Sequence, residues 1–262
     1  MSLFEYESKP TAGCAVARFC GWRPMVRKMV RAVVVLTPGS NIDGRDAVND
    51  AGWRRFAHAN AAALLGCHFA DARPRLREIY TRAELGSGQA LLAALAAWAK
   101  CEGELTLAEA PLLLWGHSAG GQFNHSFALW RPTRVGAFVV NKGGYYSGGI
   151  PSREALRVPG LFIIGGEDLP RRERAIRRVF AAGHARGAPW VLAVEPGVGH
   201  EERGAAALAR VFFKECMARP EWAAGSVALQ EHPEMEPKTN WLPGPATRRS
   251  LKRFAGKKGG GN

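Results

Sequence analysis

No stretch of this sequence stays apolar for the roughly 20 residues that a membrane helix requires, so a membrane partner is not expected. Nor does the N-terminus, MSLFEYESKP, carry the apolar centre of a secretory signal; it holds acidic residues instead. A cytoplasmic location is the expectation, or a secreted or periplasmic one if a leader has been removed. Cysteine is sparse: Cys14, Cys20, Cys67, Cys101 and Cys216, with no C-x-x-C pair and no zinc-type spacing. An odd count without a framework argues for reduced, mostly buried thiols. Cys14 and Cys20 would share one face of a strand, too far apart to bridge without a bend. Acidic residues are also few, 23 against 36 Lys and Arg, which leaves a formal net charge of +13. Such an excess can mark a nucleic-acid binder. Here the bases fall in three separate places, 23–31, 171–178 and 248–258, with no RNA-binding signature and no interleaved aromatics. The middle group, RRERAIRR, reads as the solvated face of a helix that turns Ile176, Val179 and Phe180 inward. No nucleic-acid partner is expected.

What is present is an ordinary globular balance, 47% hydrophobic and 23% charged over 262 residues, enough for one large core. Residues 1–230 are expected to form one domain and 231–262 a C-terminal extension, with Trp241-Leu242 docked and the last residues, from Gly256, disordered. Two short β-like pieces, LFEYES and CAVARFC, predict an antiparallel pair at one sheet edge. Continuous apolar runs follow: RAVVVL, AALLGCHF, LLLW, VGAFVV, LFII and WVLAV. Runs of this length, rich in branched residues, predict buried parallel strands. Between them lie helical patterns: about 47–61 with Trp53, Phe56 and Ala57 on one face, and 89–101 with Leu91, Leu92, Leu95 and Trp98. Others cover the segment after LLLW to about Trp130, then 171–185, and 201–217 with Leu208, Val211 and Phe212 inward. Strands alternating with helices predict an α/β fold, a mostly parallel sheet flanked by helices on both faces.

The chemistry concentrates where LLLW stops at Gly116-His117-Ser118-Ala119-Gly120 and a helix begins. This is G-x-S-x-G between a strand and a helix, the setting in which a serine is lifted out of a strained turn. The flanking glycines admit a turn that side chains would obstruct, and the following helix aims its first amides at the same spot. A serine hydroxyl needs a base, and in doubly wound hydrolases the partners follow in the order Ser, acid, His. After LFII stands Gly165-Gly166-Glu167-Asp168; after WVLAV comes Glu195-Pro196-Gly197-Val198-Gly199-His200. Ser118 is thus the candidate nucleophile, His200 the base and Asp168 the acid, with Glu167 competing for the last role. His117 should diverge from Ser118, and His125, on the helix beyond, is expected at the surface or partly buried. Two amide donors should face the developing oxyanion: the N–H of Ala119 and one from the turn Thr37-Pro38-Gly39-Ser40-Asn41. Pro38 has no N–H, so Ser40 is preferred over Asn41.

GHSAG, GGED and the GVGHE segment resemble the α/β-hydrolase fold over about residues 31–216. The combination of VVVLTPGSNIDGRD, GSGQALLAAL and VVNKGGYY is similar to esterases of the polyhydroxybutyrate-depolymerase-like and feruloyl-esterase-like group. The resemblance implies Ser118 as nucleophile, Asp168 as acid, His200 as base, and ester hydrolysis without a cofactor or metal. The sequence departs from that group in having Pro38-Gly39 where His-Gly is usual, and the group is commonly secreted.

The expected activity is therefore serine carboxylic-ester hydrolysis on a small or polymeric ester. A thioesterase or serine peptidase on the same fold is the alternative, and a basic binding protein that has lost its chemistry a further one. Only about twenty residues separate VGAFVV from LFII, too few for a large helical lid. The sequence thus predicts an open cleft, with Asn41, Tyr145 and Tyr146 as substrate contacts and Trp53 as a further aromatic wall.

Overall fold

The computed structural model describes residues 3–25, 29–72, 78–146, 151–219 and 245–256. Among the described residues, eight strands form one sheet in the order β1-β2-β4-β3-β5-β6-β7-β8. In chain order they are β1 Phe4–Glu7, β2 Val16–Trp22, β3 Ala32–Thr37, β4 Ala62–Ala70, β5 Leu112–His117, β6 Val135–Asn141, β7 Gly160–Gly165 and β8 Trp190–Glu195. β1 with β2 and β2 with β4 are antiparallel, and every other pairing is parallel. The helices are α1 Ala51–Asn60, α2 Ser87–Glu102, the single turn α3 Thr106–Glu109, α4 Ala119–Trp130, α5 Pro170–His184, α6 Ala205–Met217 and α7 Pro245–Gly256. Among the described residues no helix is long and apolar enough to cross a membrane.

The continuous apolar runs are explained by alternation between two covered faces. Val33, Val35, Leu112, Leu114, Phe138, Val140, Phe162 and Ile164 pack with Leu91, Leu95, Phe123, Phe127 and Ile176, under α2, α4 and α5. Their neighbours Val34, Leu36, Leu113, Trp115, Val139 and Ile163 pack with Trp53, Phe56, Leu208, Phe212 and Phe213, under α1 and α6. Each such side chain contributes about 1.5–3 kcal/mol through removal from water. Strand order reverses between β3 and β5, because β3 leads to β4 on one side and the chain then returns to β5 on the other. A crevice opens at the carboxyl ends of strands at such a reversal, and Ser118 stands there, directly after β5.

Several expectations are corrected. The helix from about 47 splits: a 3₁₀ turn, Arg45–Asn49, precedes α1, whose first turn is capped by Asp50 accepting from Trp53 N–H at 2.7 Å. Trp53 is buried against Trp115 and Phe213, at ring separations of 5.9 and 6.2 Å, so it is core on the far side of the sheet and walls no cleft. Cys14 precedes β2 in a bridge with Thr11 and packs in the layer under α2, whereas Cys20 packs in the opposite layer. The two do not share a face, and all five thiols are unpaired. α6 begins at Ala205, later than its periodicity predicts, and buries Phe213 more fully than Val211. Within the C-terminal extension, residues 245–256 form α7, for which the sequence had offered no helix. Its first amides, of Ala246 and Thr247, donate to Glu215 Oε1 at 2.7 and 3.0 Å, and Phe254 enters the core. Trp241-Leu242 and the chain after Gly256 lie outside the described residues.

Candidate active site

The turn after β5 is as tight as the motif requires. Ser118 adopts φ 52°, ψ −117°, a region that a non-glycine residue occupies only when its surroundings enforce it. The surroundings are identifiable. A Cβ on Gly116 would come within 2.4 Å of the Gly120 carbonyl, and one on Gly120 within 2.3 Å of Thr37 O and 2.5 Å of Pro38 O. The start of α4 is thereby pressed against both its own strand and the turn after β3. Ser118 N–H donates to Asn141 O at the end of β6, at 2.8 Å, which ties the elbow to the neighbouring strand.

Around this serine the structure gathers residues far apart in sequence. His200 Nε2 lies 2.9 Å from Ser118 Oγ, and His200 Nδ1 lies 2.8 Å from Asp168 Oδ2. The pattern corresponds to the tautomer in which Nδ1–H donates to Asp168 and Nε2 accepts from the serine hydroxyl. Asp168 is held in turn: its Oδ1 accepts from Leu169 N–H at 2.7 Å and from Arg172 Nη1 at 3.0 Å. Burial pushes the Asp168 carboxyl up, but the hydrogen bonds from His200, Leu169 and Arg172 outweigh it and hold the group below the ordinary carboxylate range. Glu167 is exposed, and its N–H donates to Val198 O at 2.9 Å; Asp168 is the carboxylate that meets His200. The two loops are zipped together by a second bond, Gly166 N–H to Glu195 O at 2.8 Å.

His117 does turn away from Ser118. Its Nδ1 accepts from Asn141 Nδ2 at 3.1 Å, while its ring packs 5.0 Å from that of His200. Burial first, then the proximity of His200 and Lys142, lowers its pKa to about 4, so it stays neutral beside the triad at pH 7. His125 differs from expectation: it is buried, edge-on to Phe138, Tyr146, Phe162 and Trp190, and burial lowers its pKa to about 4.

The turn 38–41 borders Ser118. Ile42 N–H closes it on Gly39 O at 3.3 Å, and Asn41 N–H is committed to Tyr80 Oη at 3.2 Å. That leaves Ser40 ahead of Asn41 as amide donor from this turn. Asn41, expected to touch substrate, is spent on scaffolding: its Nδ2 donates to Ser40 Oγ at 3.0 Å and its Oδ1 accepts from Asp71 N–H at 3.1 Å. Tyr145 is exposed, as a contact residue should be, but Tyr146 is only 7% exposed and packs 5.3 Å from His125. Tyr146 is thus core rather than open cleft, because an aromatic in the loop after a covered strand can turn to either side. Both tyrosines border a cavity of about 330 Å³ along α4, with Gln122, Ser126 and Trp130. Gln122 belongs to no motif in the sequence. Its Oε1 accepts from Gly144 and Tyr145 N–H at 2.9 and 2.8 Å, and its Nε2 donates to Glu78 Oε2 at 3.0 Å. Its position one helical turn after Ser118 was the available signal. Among the described residues no cluster of three His, Cys, Asp or Glu is arranged to hold a metal ion.

No family model matches the chain, and no curated protein matches its sequence. Solved structures do match. A poly(3-hydroxybutyrate) depolymerase from Bordetella parapertussis is 20% identical, covering 97% of this chain and 94% of that one, with a TM-score of 0.50. A dienelactone hydrolase from Anabaena variabilis is 19% identical over 83% of this chain and 98% of that one, with a TM-score of 0.53. Poly(aspartic acid) hydrolase-1 from a Sphingomonas species is 18% identical over 80% and 97%, with a TM-score of 0.52. At such identities the likeness is one of fold. Together with the sheet order, it shows the α/β-hydrolase fold.

Proposed function

From this α/β-hydrolase frame, we propose that the protein is a serine carboxylic-ester hydrolase working through an acyl-enzyme. The observation that carries the reading is the unbroken relay Asp168–His200–Ser118, at 2.8 and 2.9 Å, on a strained turn. Ser118 Oγ attacks the ester carbonyl while its proton passes to His200 Nε2. The imidazolium that forms is stabilised by the Asp168 carboxylate, which also keeps the ring in the productive tautomer. Negative charge moves onto the former carbonyl oxygen. Ala119 N–H, at the first position of α4 and so without an intrahelical acceptor, is one donor to it, and Ser40 N–H the second. As the tetrahedral species collapses, His200 Nε2–H protonates the leaving alkoxide and an alcohol departs. Water, deprotonated by the same nitrogen, then attacks the acyl group and releases the acid with Ser118 restored.

No step calls on a cofactor. The His200 side chain remains 31% exposed, so solvent and a bulky ester can both reach the reacting atoms. This exposure supports small and polymeric esters alike, as does a solved structure of the same fold that is named for a polyester, the poly(3-hydroxybutyrate) depolymerase. The test is initial rate on p-nitrophenyl esters of increasing acyl length, with a thioester and a peptide amide of matched acyl group beside them. The ester series should turn over and Ser118→Ala should lower its rate about 10⁶-fold with the fold intact. Preference for the amide, or full activity in the variant, would remove the ester reading.

A further inference from the structure

Beneath the Ser118–His200 contact lies a charged pair that the chemistry does not use. Lys142 directly follows β6, at φ 55°, and its side chain turns inward to complete burial, 0% exposed. An ammonium is tolerated there only with a specific partner. Its Nζ donates to Glu195 Oε2 at 2.8 Å and to Asn141 Oδ1 at 3.2 Å. Glu195 is the last residue of β8, itself only 9% exposed at the side chain. Its second oxygen, Oε1, accepts from Gly204 N–H at 2.9 Å. One carboxylate therefore joins the residue before the His200 loop to the residue that closes it, immediately ahead of α6.

The same lysine reaches the nucleophile from the other side. Asn141 accepts Ser118 N–H through its backbone oxygen, donates to His117 through its side-chain amide, and accepts from Lys142 through Oδ1. The elbow and the base-bearing loop, which meet directly at the Ser118–His200 bond and the His117–His200 ring contact, also share this buried path. A hydrogen bond to His200 fixes the ring's direction, but the loop backbone fixes its distance from Ser118, and that backbone is clamped by Glu195.

We infer that the Lys142–Glu195 pair is a positioning device that sets the distance of His200 from Ser118. This rests on the reading of Ser118 and His200 as the reacting pair. A misplacement of about 1 Å at a reacting centre costs on the order of 100-fold in rate, so a modest relaxation of the loop is enough to matter. Neither residue touches substrate, and each acts through the loop or the elbow.

Lys142→Met alone leaves a buried carboxylate without its cation and is expected to unfold easily, so the informative variant is Lys142→Met with Glu195→Gln. It removes both charges, keeps the side-chain volumes, and leaves an amide oxygen that still accepts from Gly204 N–H. Three quantities are measured on the full chain: thermal midpoint, kcat and KM for a p-nitrophenyl ester, and the far-downfield proton resonance of His200 Nδ1–H. The expected result is a near-native midpoint, kcat lower by about tenfold or more with KM within about threefold, and a weakened or lost Nδ1–H resonance. A near-native kcat, or an undiminished resonance, overturns the device and leaves the pair as a stability element. The resonance is read without substrate, which separates the two readings. A wild-type protein that turns over no ester, yet shows a resonance the double variant loses, overturns the ester reading and leaves the device standing.

Discussion

At the scale of single residues, the proposed chemistry depends on which carboxylate meets His200. Asp168 does so with one oxygen while Leu169 N–H and Arg172 occupy the other, whereas Glu167 faces solvent. Asp168→Asn is therefore expected to lower kcat by about 10⁴-fold, since an amide at that place favours the wrong imidazole tautomer. Glu167→Gln should stay within about twofold of wild type, because exposed substitutions without partners change little. Steady-state kinetics of the two purified variants check the ranking, and a larger loss in Glu167→Gln would contradict it. Ser118 and His200 were legible in the sequence because each sits in a glycine-rich turn at a strand end, where backbone constraints leave a local pattern. Lys142 and Glu195 were not, since 53 positions separate partners whose only shared property is that their strands, β6 and β8, end at the same edge of the sheet with β7 between them. Asn41 and Tyr146 had looked like contact residues, but sequence does not tell which way a side chain in a loop will turn.

At the scale of elements, the apolar runs announced the sheet because strands covered on both faces need no polar residues. The amphipathic helices α2 and α5 declared their inner faces by spacing alone, and α6 did so in part, since Phe213 is buried more fully than Val211. α7 did not. It presents Arg248, Arg249, Lys252 and Arg253 to solvent, carries little apolar surface beyond Leu251 and Phe254, and is anchored by the carboxylate of distant Glu215. The junction of β5 and α4 offers a direct test of packing. Gly120→Ala would thrust a methyl group against the backbone oxygens of Thr37 and Pro38, which cannot rotate away as a side chain would. The expected cost is at least about 2 kcal/mol in urea unfolding, with slower turnover because the turn bearing Ser40 must shift. A variant as stable and active as wild type would mean that the elbow is not pressed against β3 as described.

At the scale of the whole molecule, two histidines, His125 buried and His117 half-buried, make stability depend on pH in a definite direction. The pKa values of His117 and His125 are both lowered to about 4 from an ordinary 6.5, by burial above all. Between those values the unfolded chain binds protons on both rings and the folded one does not, so stability falls as pH drops from 6.5 toward 4. For His125, which is 6% exposed, this amounts to about 2 kcal/mol by pH 5. His125→Phe, which suits its aromatic surroundings, should show a smaller drop in thermal midpoint between pH 7 and pH 5 than wild type; equal drops would contradict the assignment. The account's central claim, a serine activated for covalent chemistry by His200, is tested most directly by trapping. Wild-type protein treated with a serine-directed fluorophosphonate should gain one adduct, placed on Ser118 by peptide mass spectrometry, and His200→Ala should label far more slowly. An adduct on any other residue, or equal labelling rates in the two proteins, would contradict the claim.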